Sequence, residues 1–312
     1  MIIILILAGL AGVWLGTRWI LFSAAGFAEY FGWSEKFIGL AILAFGTDLP
    51  EIAVTIDAAL LKKSGTDTSG LIFGNIIGSC ATQIGLALGL IGIITGTRVR
   101  FLGHRRNFVY LLGSVILFGL FTWDGILNKS EGIILIITYL VFFFQLITSG
   151  AEKTESKSRV PFNQALKLFS TLILGLLMLL FSADLLVSEV LLLSEKFNIS
   201  QSVAGLILVG AGTSLPEIAV STGAGIQKNP ELAVSNIIGS NILDMLLPAG
   251  LAALISPLEI QRSWLLYDLT GLFGISLIAV VVLLNGISRR EGFVLVMVWI
   301  VLLFLKSLFF YS

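Results

Sequence analysis

Nine residues, Gly46-Thr-Asp-Leu-Pro-Glu-Ile-Ala-Val54, recur at Gly212-Thr-Ser-Leu-Pro-Glu-Ile-Ala-Val220 with one change, and each copy lies inside hydrophobic sequence long enough to enter a bilayer. Lipid can satisfy neither an ionised side chain nor a broken backbone ladder. A carboxylate beside a proline in two such places therefore demands compensation from within the protein. The simplest source is a cation held by both copies together.

Composition agrees. Of 312 residues, 57% are apolar, 12% are charged and 33 are glycine, the profile of an integral membrane protein surrounded by lipid. The formal net charge is zero, which leaves no broad basic face for nucleic acid. The single cysteine, Cys80, excludes an internal disulfide. Met1-Ile-Ile-Ile-Leu-Ile lacks a positive n-region and a small-residue cleavage site, so it reads as the first span and not as a signal peptide. An intramembrane enzyme would need a nucleophile with a base. The only histidine, His104, falls in a loop with Arg100, Arg105 and Arg106 and reads as solvated, and no Gly-x-Ser-x-Gly or Gly-x-Gly-Asp pattern occurs. The expectation is a non-enzyme with no organic cofactor.

Apolar stretches close to the roughly 20-residue spanning length fall at 1–31, 37–61, 71–94, 107–123, 131–150, 165–197, 203–226, 232–255, 264–284 and 292–311. This predicts an all-α membrane protein of ten transmembrane helices. The first and sixth, at about 30 residues, would be some 45 Å long and must tilt or project. The polar stretch from Gly150 to Pro161 is the one linker. The division is then 1–150 (helices one to five), 151–164 (a cytoplasmic linker) and 165–312 (helices six to ten). With the N-terminus outside, the inner loops hold Lys36, Arg98, Arg100, Arg105, Arg106, Lys153, Lys157, Arg159, Lys167, Lys228, Arg289 and Arg290. The outer loops hold only Lys62, Lys63, Lys129, Lys196 and Arg262. Positive residues stay cytoplasmic, so both termini are expected outside the plasma membrane.

The duplication exceeds the nonapeptide. An offset of 166 residues pairs Glu29 with Glu195, Ser34 with Ser200 and Gly39 with Gly205, and an offset of 161 pairs Asn75-Ile-Ile-Gly-Ser79 with Asn236-Ile-Ile-Gly-Ser240. Five spans per half is an odd number, so the second half enters the membrane inverted, the plan of transporters whose sites lie at the midplane between halves. Arg18 and Asp184 are also related by the offset, which suggests an ion pair between helices one and six.

Proline donates no N–H, so Pro50 and Pro216 should free the carbonyls of Gly46 and Gly212. Freed carbonyls and carboxylates are the hard oxygen ligands that Ca²⁺ collects. Thr47 and Asp48 share a helix face with Glu51, and Thr213 and Ser214 repeat the arrangement beside Glu217. A packing kink would account for glycine and proline, but not for Glu51 and Glu217. For the Asn-Ile-Ile-Gly-Ser copies, close helix contact through small residues is the competing reading. Asp244, one turn after Ser240, favours a ligand role; its positional counterpart is Gln83.

With these residues the chain resembles the sodium/calcium exchanger family of the cation/calcium antiporters, through GTDLPE with GNIIGSCATQ and GTSLPE with SNIIGSNILD. The resemblance implies two inverted five-helix repeats, discontinuous helices 2, 3, 7 and 8 around a midplane ion site, and helices 1 and 6 as a sliding gate. It implies a calcium site at Glu51, Glu217, Thr47 and Thr213. Flanking sodium sites would draw on Ala44, Asp48, Ser79, Gly210, Ser214 and Ser240, with Gln83 and Asp244 as a further pair. Ca²⁺ and Na⁺ would be the transported ions in the lipid bilayer, with no obligate protein partner. Asp48 stands where the family usually has serine, and Gln83 where it has asparagine or aspartate. Asp48, Glu51, Glu217 and Asp244 would place up to four negative charges in one site, more than one Ca²⁺ balances. Either a carboxyl is protonated or an extra cation is held, which keeps an H⁺/Ca²⁺ or K⁺-dependent exchanger as the alternative.

Overall fold

The computed structural model describes residues 2–96, 101–150, 161–196, 212–262 and 265–310. Helix α1 (Ile2–Phe31) is a largely apolar run carrying only Arg18 and Glu29 as charges, stopped where Gly32 takes φ +66°. Ser34 then caps α2 (Glu35–Thr47) by accepting the Phe37 N–H. At Asp48 the helix breaks, and α3 (Leu49–Lys63) leaves at 43° with Pro50 in its first turn, where a missing N–H costs nothing. Helices α4 (Ser69–Thr95), α5 (Arg105–Phe121) and α6 (Lys129–Gly150) complete the first half.

The second half has α7 (Phe162–Lys196), α8 (Leu215–Ile226), α9 (Pro230–Ile255), α10 (Leu265–Asn285) and α11 (Arg289–Phe310). Helix α7 starts inside the stretch assigned to the 151–164 linker. A two-residue antiparallel ladder, β1 (Ile126–Leu127) with β2 (Leu258–Glu259), ties one end of the bundle. Among the described residues, six helices are long and apolar enough to cross a membrane, or seven if α2 and α3 form one bent span.

Burial separates centre from periphery. The apolar stretch of α9 is 83% buried and that of α4 72%, against 17% for α1 and 28% for α7. Helices α4 and α9 are thus the core, and α1 and α7 flank it with lipid-facing apolar surfaces. Glycines bring backbones together at the contacts that matter. A Cβ on Gly39 would lie 2.8 Å from the Leu232 carbonyl oxygen, and one on Gly239 2.6 Å from that of Leu40, so α2 lies directly on α9. A Cβ on Gly16 would lie 2.8 Å from the Gly175 carbonyl oxygen, which seats α1 equally closely on α7.

Three expectations need correction. Helix α9 is continuous, not broken: its Asn-Ile-Ile-Gly-Ser segment contains no proline, and Pro248 removes only one bond from a deeply packed ladder. Helix α4 likewise runs on through the matching motif, with a widened π-helical turn at Gln83–Ala87 in place of a break. Arg18 does not pair with Asp184. Helices α1 and α7 cross antiparallel, Gly12 facing Ser182 and Gly26 facing Leu168, so offset-related residues meet near Trp14 and Leu180. Arg18 and Asp184 lie to either side of that point, about 12 Å apart along the axes, and Arg18 stacks over Trp14 at 5.0 Å.

Candidate metal centre

Two matching backbone breaks build the centre. Asp48 has φ −79° and ψ 3°, Ser214 has φ −84° and ψ 7°, and each is followed by Leu-Pro-Glu opening a new helix. Glu51 and Glu217 therefore both stand in a helical first turn, where N–H groups and the helix dipole favour negative charge. Across the breaks the Asp48 N–H donates to the Ala44 carbonyl and the Ile52 and Ile218 N–H groups to those of Asp48 and Ser214, all at 3.0 Å. Pro50, four residues after Gly46, has no N–H to offer its carbonyl.

The breaks bring three carboxylates together. Asp48, Glu51 and Glu217 each present an oxygen, all within 4.8 Å of one another, and all three side chains are buried. Oxygens on opposite sides of one Ca²⁺ would stand about 4.6–5.2 Å apart, twice the 2.3–2.6 Å ligand distance. The cluster thus has the spread of a single coordination sphere. Ion pairs among the described residues join Lys62 to Asp67 and Glu259, His104 to Glu231, and Lys306 to Asp268, and none reaches these carboxylates. A buried charge without a partner is costly. A cation held among the three would supply that partner.

The two sides of the cluster differ. On one side Glu51 Oε1 accepts from Ser79 Oγ (3.4 Å) and Ser214 Oγ (3.5 Å), and Ser79 Oγ lies 3.1 Å from Thr213 Oγ1. On the other, neither oxygen of Asp48 or Glu217 meets a hydrogen-bond donor, and the buried Ser240 hydroxyl is equally unpartnered. Thr47 Oγ1 gives its proton to the Leu43 carbonyl at 3.0 Å. Ala44 is buried beside Gly239 of α9. Gly210 lies outside the described residues.

Asp244 and Gln83 meet as the sequence suggested, Gln83 Nε2 donating to Asp244 Oδ2 at 3.0 Å. What the sequence reading missed is Asn241. Its amide donates to Gln83 Oε1 (2.7 Å) and to the Ile237 carbonyl (2.9 Å), which turns the Gln83 NH₂ toward Asp244. It also missed the outer braces: Asn75 donates to Thr55 Oγ1 at 3.2 Å and Asn236 to Ser221 Oγ at 3.0 Å, the same bond at positions matched by the two offsets. The recurrence of Asn with Thr or Ser in both halves was the available signal.

A cavity of about 1090 Å³ lies between α1 and the core, walled by Leu21, Ala24 and Ala28 of α1 and by Ile38 and Leu40 of α2, and rimmed by Glu35 and Glu231. Leu40, part of this wall, also seats Gly239 of α9. His104, expected to be solvated, is buried at this rim, its Nε2 2.7 Å from Glu231 Oε1. The partner comes from the first turn of α9, 127 residues distant, which local sequence does not reveal.

Comparison with known proteins places this geometry in context. A family profile described as sodium/calcium exchanger protein matches residues 1–148 and 167–308. The chain is 28% identical to the sodium/calcium exchanger MaX1 of Methanosarcina acetivorans over 98% of both sequences. It is 31% identical to the inner membrane protein YrbG of Escherichia coli over 82% of this chain and 81% of that protein. Among solved structures, the sodium-calcium exchanger NCX_Mj soaked with 10 mM Na⁺ and no Ca²⁺ superposes with a TM-score of 0.85 at 28% identity, covering 96% of this chain and 98% of that one.

Proposed function

Because the chain belongs to the sodium/calcium exchanger family, we propose that it is a secondary antiporter exchanging Na⁺ for Ca²⁺ by alternating access at the Asp48–Glu51–Glu217 cluster. One observation carries this: three buried carboxylates within 4.8 Å and, among the described residues, no basic side chain in an ion pair with them. In this reading Ca²⁺ sits between Glu51 and Glu217 with the Thr47 and Thr213 carbonyls. Na⁺ ions take the flanking positions at Ala44, Asp48, Glu217 and Ser240 and at Gly210, Ser214, Glu51 and Ser79, with Gln83 and Asp244 between. Ten spans in two inverted five-helix repeats supply the two flanks, and the repeated Asn–Thr and Asn–Ser braces support that symmetry. Both termini lie outside the plasma membrane.

Coupling follows from competition. Carboxylates without counter-ions resist transfer through a low-dielectric interior, so only a filled, neutralised site changes its facing. Helices α1 and α7 are the moving pair: they pack on each other through glycine, and they touch the site helices at Thr17 against Gly223 and Leu176 against Gly46. The sodium gradient then drives calcium out of the cell. The carboxyl count of the site supports an H⁺- or K⁺-linked exchanger as the second reading. The test is Ca²⁺ uptake into proteoliposomes under imposed Na⁺, K⁺ and H⁺ gradients in turn. Uptake is expected with the Na⁺ gradient and lost in both Glu51→Gln and Glu217→Gln. Undiminished flux in either variant would refute the shared site.

A further inference from the structure

The two asparagine braces occupy matched positions but do different things. Asn75 of α4 and Asn236 of α9 each stand one turn before a serine of the centre, Ser79 and Ser240, and both side chains are buried. Asn75 uses its amide group twice on α3: Nδ2 lies 3.2 Å from Thr55 Oγ1 and 3.4 Å from the carbonyl oxygen of Glu51 itself. Asn236, among the described residues, donates to Ser221 Oγ at 3.0 Å and makes no hydrogen bond to Glu217.

Helix position makes the difference matter. Both glutamates stand in a first turn, where the helix ladder is incomplete and a residue depends on contacts from outside its own helix. Glu51 has them at both ends: Asn75 holds its backbone, and Ser79, one turn further along the same helix, holds its carboxylate. Glu217 has neither, since its carboxylate oxygens meet no donor and its brace stops four residues on, at Ser221. The Asn75 amide can adopt only one orientation, because turning it would set Oδ1 against the Glu51 carbonyl oxygen. Its other acceptor is equally fixed, for a threonine in a helix is stiff at χ1.

We propose that Asn75 is a positioning residue of the centre: it fixes Glu51 as the rigid ligand of a bound Ca²⁺, a task that Asn236 does not perform for Glu217. The proposal rests on the exchanger reading, since it presumes that Ca²⁺ occupies the Glu51–Glu217 position. Asn75 touches no ion in this account and acts through Glu51 alone. Calcium affinity is therefore set unequally by the two halves, although their sequences match at these asparagines.

The test is Ca²⁺ binding by calorimetry to the purified full chain, which reads affinity and the number of sites per chain separately. Asn75→Ala is expected to weaken Ca²⁺ binding by about fivefold or more, the low end of coupling between sites, with the number of sites unchanged. Asn236→Ala should stay within about twofold of the parent, below that coupling. Should Asn75→Ala fold poorly, Thr55→Val removes one of its acceptors without opening a cavity and should weaken binding in the same sense, while Thr55→Ser, which keeps the acceptor, should retain it. Equal losses in the two asparagine variants overturn the proposal. So does a fall in the number of sites at unchanged affinity, because Asn75 then only supports folding. A parent that binds no Ca²⁺ would strike instead at the exchanger reading.

Discussion

The residue that most changes how the centre is understood is Asn241, which stands inside the Ser235–Asp244 motif but acts on the site through a partner in the other motif. Its amide fixes the Gln83 side chain so that NH₂, and not the carbonyl, faces Asp244. Replacing it by leucine leaves the Gln83 carbonyl oxygen without its donor and free to turn on Asp244, at a cost of about 1–3 kcal/mol. Asn241→Leu is therefore expected to weaken Ca²⁺ binding about tenfold, measured by calorimetry. Adding Gln83→Ala should cost little more, since both act through one bond; fully additive losses would contradict the arrangement. Glu51 and Glu217 were legible because each repeats beside a proline in apolar sequence. The Asn241–Gln83 contact was not: each stands in one of the two repeated motifs, but they are 158 residues apart and neither motif says that they touch. His104 was misread for the same reason.

Among the elements, proline made the two breaks legible, although Pro248 sits inside α9 without breaking it. Both Leu-Pro-Glu segments follow a residue with ψ near zero, whereas α4 and α9 run through their Asn-Ile-Ile-Gly-Ser copies without one. The latter copies do the work of close packing and of side-chain supply together, which is why reading them as either contact or ligand alone was incomplete. Pro50→Ala would supply an N–H to the Gly46 carbonyl and relax the ring clash. The expected outcome is weaker Ca²⁺ binding in a protein at least as thermally stable as the parent. A variant that binds Ca²⁺ normally would show that the break is incidental. Gly239→Val should do the opposite. Its added carbons meet the Leu40 backbone, forcing α2 from α9, at about 1–3 kcal/mol as for other overpacked sites. A lower melting temperature in detergent is the readout, and an unchanged one would contradict the backbone contact.

For the molecule as a whole, the architecture divides labour between a buried core and a flanking pair. Helices α4 and α9 are held nearly everywhere by protein, while α1 and α7 expose most of their surface and join through small residues. In the proposed cycle this pair shifts against the core with little loss of packed area, so that the fixed centre meets one side or the other in turn. Hydropathy located the long apolar helices, since span length is set by the bilayer, while the flanking role of the first and sixth was implied only by the resemblance. The crossing point of α1 and α7 lay beyond it, because an offset between repeats says which residues correspond and not which ones touch; Arg18 and Asp184 correspond but stay apart. The central claim is that two halves of one chain share a single metal ion. Anomalous diffraction from crystals equilibrated with a heavier calcium substitute such as Sr²⁺ tests it most directly. One peak is expected within ligand distance of both Glu51 and Glu217; a peak beside only one of them, or none within the cluster at saturating ion, would contradict it.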